Sequence, residues 1–164
     1  MFLSVFDIFK IGIGPSSSHT MGPMVAAGRF LDRLRAQPFG LAGLRARLHG
    51  SLAGFRPDSY DADRAEAALA AIRASGRITP PGLPELRFDP ARDLAFDFGP
   101  PLPGHANGLV LAATDAQGDT IAQETYFSVG GGFVVTAAEL AEGSATGSGP
   151  AVPWPFASAA EMLV

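Results

Sequence analysis

The sequence contains no cysteine and only one lysine, Lys10, among its 164 residues. Without cysteine, the chain cannot form a disulfide, a zinc–thiolate site or a cysteine-ligated iron–sulfur cluster from its own residues. Its 12 basic residues against 16 acidic ones give a net charge of −4. The arginines are scattered, whereas phosphate binding needs concentrated positive charge, so we expect no nucleic-acid partner.

Long apolar runs are also missing. No uncharged stretch has the length of a transmembrane helix, and we expect no membrane partner. The first ten residues have no basic start and are interrupted by Asp7, which argues against a signal peptide and predicts a cytoplasmic protein. The composition, 47% hydrophobic and 17% charged, is typical of a globular domain with its own core.

Helical and strand periodicities alternate along residues 1–141. This pattern predicts a single α/β (α+β) domain, in which helices pack on a small mixed sheet. The predicted helices are one that has Pro23 at an early position and ends near Gln37, a second over 63–73, and a short one capped by Thr136. The predicted strands are 44–52, 86–88, 94–98, 108–114 and 120–128, the last two forming a hairpin. Alternation in 44–52 places His49 on the solvated face.

The composition changes after residue 141. Residues 142–155 are rich in Gly, Ser, Ala and Pro, which is typical of a linker. A new helical pattern begins at Phe156 and continues to residue 164. We interpret 156–164 as the start of a truncated C-terminal domain.

Residues 14–23, Gly-Pro-Ser-Ser-Ser-His-Thr-Met-Gly-Pro, form the strongest functional motif. Ser16, Ser17, Ser18 and Thr20 supply four hydroxyls and His19 an imidazole, all just before a predicted helix. Backbone N–H groups and the helix dipole at such a position favour an anion such as a carboxylate. His19 is the candidate catalytic residue, because an imidazole can transfer a proton or orient a hydroxyl. The alternative is a serine-rich turn that only caps the helix.

Several segments together resemble a known family. The opening FDIFKIGIGPSSSHTMGPM is similar to the start of bacterial iron–sulfur L-serine dehydratases, also called L-serine ammonia-lyases. Further similar segments follow in order: HGSL from His49, LP with His105 and Asn107-Gly108, TYFSVGGGF from Thr125, and PWPF from Pro153. The chain is therefore identified as resembling the N-terminal, or beta, domain of that family.

The resemblance implies a lyase that converts L-serine to pyruvate and ammonia without pyridoxal phosphate. A [4Fe–4S] cluster with one open iron would act as a Lewis acid towards the serine hydroxyl. The cluster would be held by a helical C-terminal domain absent from this chain, so that no metal ligand is expected here. The beta domain would be similar to the amino-acid-binding regulatory domain of phosphoglycerate dehydrogenases.

The same resemblance assigns roles to particular residues. Residues 16–20 would bind the charged ends of L-serine between the two domains, and the protein would be a homodimer. Ser128, Gly130, Gly131 and Gly132 are expected either to allow close packing at a strand end or to form a loop at the domain interface. His105 is expected to be partly exposed and Asn107 to have a turn role. The alternative function is an amino-acid-binding regulatory or sensor domain without catalysis.

One segment of the family pattern is missing. After a stretch such as Ser51-Leu52-Ala53, family members continue into a G-K-G-H-x-T-D segment and a short helix, whereas this chain runs directly into Gly54. The histidine of that segment, the general base by resemblance, has no counterpart. A natural deletion, a later alteration of the chain and a loop omitted from the sequence are the alternatives.

Overall fold

The computed structural model describes residues 18–36, 40–49 and 62–142. Within these ranges the chain forms four helices and seven strands. The helices are α1 (Met21–Ala36), α2 (Ala62–Ser75), α3 (Pro90–Asp93) and α4 (Ala137–Ala141). The strands are β1 (Gly43–His49), β2 (Arg77–Ile78), β3 (Leu86–Arg87), β4 (Leu94–Phe96), β5 (Gly108–Thr114), β6 (Thr120–Gly130) and β7 (Phe133–Thr136).

The strands form one open mixed sheet in the order β2-β3-β1-β5-β6-β7, and β4 also pairs with β1. Strands β3 and β4 lie parallel to β1, one after the other along the same edge. The other edge of β1 pairs antiparallel with β5, from Gly43 opposite Thr114 to His49 opposite Gly108. This architecture confirms the predicted α/β class with a mixed sheet.

Strands β5 and β6 form the predicted hairpin. The Asp115 carboxylate organises its turn, because Oδ1 accepts hydrogen bonds from the backbone N–H groups of Gln117 at 3.0 Å and Asp119 at 2.8 Å. Gly118 completes the turn with a φ of +91°, a conformation that other residues rarely adopt. The turn fixes the register of the two strands that carry the core of the sheet.

The core lies between α1 and one face of the sheet. Residues at four-residue spacing on α1 share a single face of the helix and can pack against a flat layer. The buried core cluster combines this helix face with three central strands, and it consists of Ala26, Phe30, Leu34, Leu48, Leu109, Leu111, Ala113 and Tyr126. Packing of α1 on the sheet therefore fixes where the N-terminal end of α1 lies.

Other elements differ in how well the sequence predicts them. Helix α4 is capped as expected. Thr136 Oγ1 accepts a hydrogen bond from the Glu139 N–H at 3.1 Å, and the Glu139 carboxylate accepts one from the Thr136 N–H. Elements β2, α3 and β7 are two to four residues long and were not predicted, because segments this short contain at most one or two periods of either pattern. The remainder of strand 44–52 lies outside the described residues.

Among the helices in the described ranges, none combines the length and the apolar character needed to cross a lipid bilayer.

Candidate functional site

The N-terminal end of α1 is preceded by a turn of Ser18, His19 and Thr20. Ser18 Oγ lies 2.9 Å from His19 Nδ1, within hydrogen-bond distance. The first N–H groups of a helix have no carbonyl partner inside the helix and carry partial positive charge. The turn thus brings a hydroxyl and an imidazole to a position that favours negative charge. Ser16 and Ser17 lie outside the described residues.

Ser128, near the end of β6, lies against this end of α1. Its side chain is fully buried at 1% exposure, and its Oγ has no hydrogen-bond partner among the described residues. A Cβ placed on Gly22, in the first turn of α1, would lie only 1.9 Å from Ser128 Oγ. The contact is possible only because residue 22 has no side chain, so Gly22 and Ser128 form a matched pair.

Asn107 makes two hydrogen bonds with the backbone of Ser128. The Ser128 N–H donates to the Asn107 carbonyl at 2.9 Å, and the Asn107 side-chain amide donates to the Ser128 carbonyl at 3.4 Å. The Asn107 N–H in turn donates to Nδ1 of His105 at 3.1 Å. The expected turn role of Asn107 is therefore present, and His105 is half-buried as predicted. Asn107 additionally lines the site.

The prediction that His49 is solvated is wrong. Its side chain is only 8% exposed and its Nδ1, 4.0 Å from Asp97 Oδ2, has no hydrogen-bond partner among the described residues. Alternation correctly places His49 on the face opposite the α1 core. However, the chain after β4 returns over this end of β1, where the Asp97 N–H donates to the Leu48 carbonyl at 2.8 Å. This cover buries a side chain that alternation alone would expose.

Five polar residues line one small pocket. They are Ser18, His19, His49, Asn107 and Ser128. The cavity measures about 10 Å³, which is the scale of a single water molecule. Hydroxyl, imidazole and amide groups can together donate to and accept from a small oxygen-containing or nitrogen-containing group. We call this arrangement the polar pocket.

Strand register explains why the sequence does not reveal the polar pocket. His49 pairs with Gly108, and Gly108 pairs with Phe127, so three distant segments align across β1, β5 and β6. This register places Asn107 and Ser128 next to one another and beside the end of β1. The motifs around His49, Asn107 and Ser128 were each visible in the sequence. Their meeting point depends on pairing, which the sequence alone does not specify.

The glycine triplet forms the turn between β6 and β7. Gly130, Gly131 and Gly132 all have positive φ values, of +103°, +60° and +77°. A Cβ on Gly132 would lie 3.6 Å from Met21 Cβ, at the start of α1, while one on Gly130 would meet nothing within 4 Å. The three positions therefore require the positive φ values that glycine adopts most readily. Their turn lies next to the same end of α1 that Ser128 contacts.

An ionic contact outside the polar pocket holds α1 in place. Arg29 donates to the Val134 carbonyl at 2.9 Å and to Glu139 Oε1 at 2.7 Å, and its guanidinium lies 5.7 Å from the ring centroid of Tyr126. The hydrogen bond from Arg29 lowers the pKa of Glu139, and the same bond raises the pKa of Arg29. These contacts join α1 to β6, β7 and α4 on the side of the helix away from α2.

The described residues contain no group of three or more His, Cys, Asp or Glu side chains arranged to bind a metal ion. The polar residues that line the polar pocket carry two imidazoles, two hydroxyls and an amide. With no cysteine anywhere in the sequence, the donor set does not fit an iron–sulfur cluster, which requires thiolate ligands.

Comparison with known proteins gives a consistent family match. A family model described as serine dehydratase beta chain matches residues 4–54 and 51–139. The L-serine dehydratase of Streptomyces coelicolor is 38% identical over 182 residues, and that of Mycobacterium tuberculosis is 39% identical over 187 residues. The L-serine dehydratase TdcG of Escherichia coli is 35% identical over 181 residues.

These alignments cover 98–99% of this chain but only 39–40% of each relative. The chain therefore spans about two fifths of the length of the curated relatives it matches. The alignment with the Streptomyces protein is also longer than the chain, with 182 positions against 164 residues. The relatives thus contain residues within the aligned region that have no counterpart here.

Proposed function

Because this chain belongs to the serine dehydratase beta chain family, we propose that it is the substrate-binding part of an L-serine ammonia-lyase. The reaction is the dehydration of L-serine, followed by hydrolysis to pyruvate and ammonia. The observation that carries the proposal is the polar pocket, where Ser18 and His19 at the N-terminal end of α1 meet His49, Asn107 and Ser128. The motif turn and the buried polar groups line the same cavity, which measures about 10 Å³ and admits a single small group of the substrate.

The proposed roles follow from the chemistry of each group. The N-terminal end of α1 and the Ser18 hydroxyl favour the substrate carboxylate through N–H and O–H donors. Ser128 Oγ offers a buried hydrogen-bonding group without a partner among the described residues. His19 is the proton-transferring or hydroxyl-orienting side chain, and its contact with Ser18 at 2.9 Å fixes the orientation of its ring. Ser16, Ser17 and Thr20 belong to the same proposed binding turn.

The chain's residues do not supply ligands for the [4Fe–4S] cluster that the family resemblance implies. The cluster therefore belongs to another part of the protein, and we assign no step of the reaction to it here. The chain covers about 40% of its relatives' length, which supports a second, cluster-bearing domain or chain as partner. The glycine triplet, Gly130–Gly132, is the proposed contact to that partner, whereas Ser128 is buried against Gly22 within this chain.

Further features are proposed with this function. Residues 1–141 form the beta domain, 142–155 a linker and 156–164 the beginning of the C-terminal domain. The protein is proposed to be a cytoplasmic homodimer, and its fold to be similar to the regulatory domain of phosphoglycerate dehydrogenases. The alternative, an amino-acid sensor without catalysis, would use the same polar pocket. The names of the relatives support the enzyme, and no observation favours the sensor.

Reconstitution with the cluster-bearing part tests the proposal. That part is expressed separately and its cluster reconstituted anaerobically, and pyruvate is then measured with L-serine as substrate. We expect pyruvate only when both parts are present. If the chain of 164 residues gives none, the assay is repeated with a chain into which the relatives' additional residues have been inserted. Ser18→Ala should lower kcat/KM about tenfold, the scale of one charge-assisted hydrogen bond.

Ser75→Ala provides the matched control, because Ser75 lies at the C-terminal end of α2 and bonds to Arg77 rather than lining the polar pocket. Its kcat/KM should equal that of the unchanged chain. Absence of pyruvate from the mixed parts, with the additional residues restored and both parts folded, contradicts the proposed function.

A further inference from the structure

A second, apolar cavity lies beside the polar pocket, between α1, α2 and the sheet. Its volume is about 300 Å³, equal to about ten water molecules at the ~30 Å³ that each occupies in the liquid. The cavity is partly open to solvent, so it is a cleft rather than an enclosed void. Most of its wall is aliphatic or aromatic, and this part includes Phe30, Leu44, Ala46, Leu69, Ile72 and Leu111.

Helix α2 is underpacked on the side that faces this cavity. Among residues 66–75, the part of α2 whose exposure the structure describes, the least exposed residues are Ala68, Leu69 and Ile72, and each is only half-buried. In the sheet, α2 mainly contacts the two-residue strand β2. An amphipathic helix is stabilised chiefly by burying its apolar face. The described structure does not complete that burial for α2.

The family comparison places missing residues at the same point of the chain. The family model matches in two segments that meet at residues 51–54, which is between β1 and α2 in sequence. Both elements line the cavity. The alignment with the Streptomyces protein, 182 positions against 164 residues, leaves on the order of 20 residues of that relative unmatched, enough for a short helix and a loop.

We propose that the apolar cavity is the space in which the relatives' additional segment packs, and that its absence leaves α2 partly unsupported in this chain. The supporting observations are the volume and apolar wall of the cavity, the half-buried α2 residues that line it, and the break in the family match between β1 and α2. A segment with one apolar face would cover Leu69 and Ile72 and fill the space above Ala46.

The proposal has a consequence for the polar pocket. Pro23, Leu48 and Leu109 line both the polar pocket and the apolar cavity, so they form a shared wall. A segment that fills the cavity would support this wall from behind and restrict its movement. The additional segment would therefore act on the substrate site through packing as well as through any side chain it contributes.

Restoring the segment tests the proposal by a measurement of stability that is independent of L-serine. The residues that the Streptomyces relative carries at this point are inserted between Ala53 and Gly54 of the full chain. A Gly/Ser insertion of equal length is the control. We expect the melting temperature of the first chain to exceed that of the control by about 5 °C or more.

Ala46→Leu then tests whether the inserted segment occupies the cavity. In the unchanged chain the larger side chain enters empty space, and the melting temperature should rise by about 3 °C. In the chain with the restored segment the same substitution overpacks an occupied space, and the melting temperature should fall. The Gly/Ser chain should respond as the unchanged chain does.

Two results would overturn the proposal. The first is a restored chain that is no more stable than the Gly/Ser chain, or that does not fold while the Gly/Ser chain does. The second is an effect of Ala46→Leu that has the same sign in the restored and unchanged chains. Neither result bears on whether the polar pocket binds L-serine, so failure here is distinguishable from failure of the proposed function.

Discussion

Gly22 and Ser128 determine the geometry at the N-terminal end of α1. The glycine lets the buried hydroxyl approach the first turn of the helix, and no other residue type leaves that space. The sequence identified Ser128 only as part of a possible interface loop. The contact with Gly22 joins segments more than one hundred residues apart, and no local pattern in either segment encodes it.

Gly22→Ala should destabilise the chain by about 1–3 kcal/mol, because the new Cβ would lie 1.9 Å from Ser128 Oγ. Gly28→Ala, in the same helix with nothing within 4 Å of the added Cβ, should instead stabilise it by up to about 1 kcal/mol. Urea unfolding measures both. Adding Ser128→Gly to Gly22→Ala should recover stability relative to Gly22→Ala alone, and a further loss would contradict the assigned contact.

His49 illustrates where alternation fails. The period of β1 correctly predicts which face His49 occupies, but burial also depends on the segment around Asp97 that covers the strand end. The sequence pattern of β1 contains no information about that cover. The His49 Nδ1 has no hydrogen-bond partner among residues 18–36, 40–49 and 62–142, and a buried imidazole nitrogen without a partner is costly unless a ligand or water completes its hydrogen bonds.

His49→Phe separates a binding role from a structural one. Phenylalanine keeps a planar ring but removes the unpartnered nitrogen, so we expect the melting temperature to be unchanged or higher. The Kd for L-serine, measured by calorimetry, should rise about tenfold, as for the loss of one hydrogen bond. A lower melting temperature with unchanged Kd would show that His49 is a structural residue only.

At the level of elements, prediction succeeded where periodicity was long and local. The β5–β6 hairpin and the Thr136 cap of α4 follow from alternation and from turn and cap residues that are close in sequence. Strand β7 was missed because it is only four residues long and its sequence, Phe-Val-Val-Thr, does not alternate between apolar and polar residues. Helix α3 consists of a single turn and depends on Asp89 and Asp93 rather than on a pattern.

Asp93 ties α3 to strand β1, because its Oδ1 lies 3.8 Å from Nε of Arg45, and it makes this element sensitive to pH. Burial raises the pKa of Asp93, but hydrogen bonds from Arg92 and from the Asp89 N–H, with the charges of Arg92 and Arg45, outweigh it and lower the pKa overall. A carboxyl with a lowered pKa stabilises the fold at neutral pH, and this contribution is lost as the pH falls through its folded pKa.

Asp93→Asn should therefore lower the melting temperature at pH 7, where the carboxylate is charged in both states. Between pH 7 and pH 3 the melting temperature of the variant should fall less than that of the unchanged chain. Scanning calorimetry at both pH values measures the two differences. Equal losses on acidification in the two proteins would show that Asp93 does not contribute to acid sensitivity.

At the scale of the whole molecule, the chain belongs to the serine dehydratase beta chain family and spans about two fifths of the length of the curated relatives it matches. Motif similarity in the sequence predicted that family, and the comparisons confirmed it. The arrangement of the polar pocket could not be predicted, because it depends on the register of β1, β5 and β6. The apolar cavity likewise became visible only when helix and sheet were seen together.

The central claim is that this domain itself binds the substrate, and titration of the isotope-labelled 164-residue chain with L-serine tests it most directly. The proposed site predicts saturable shifts of backbone amide NMR signals at Ser18, His19, Asn107 and Ser128, with D-serine producing weaker effects. The His19→Ala variant should require a higher L-serine concentration for the same shifts. Unchanged spectra at millimolar L-serine, or shifts confined to residues away from these four, would contradict the claim.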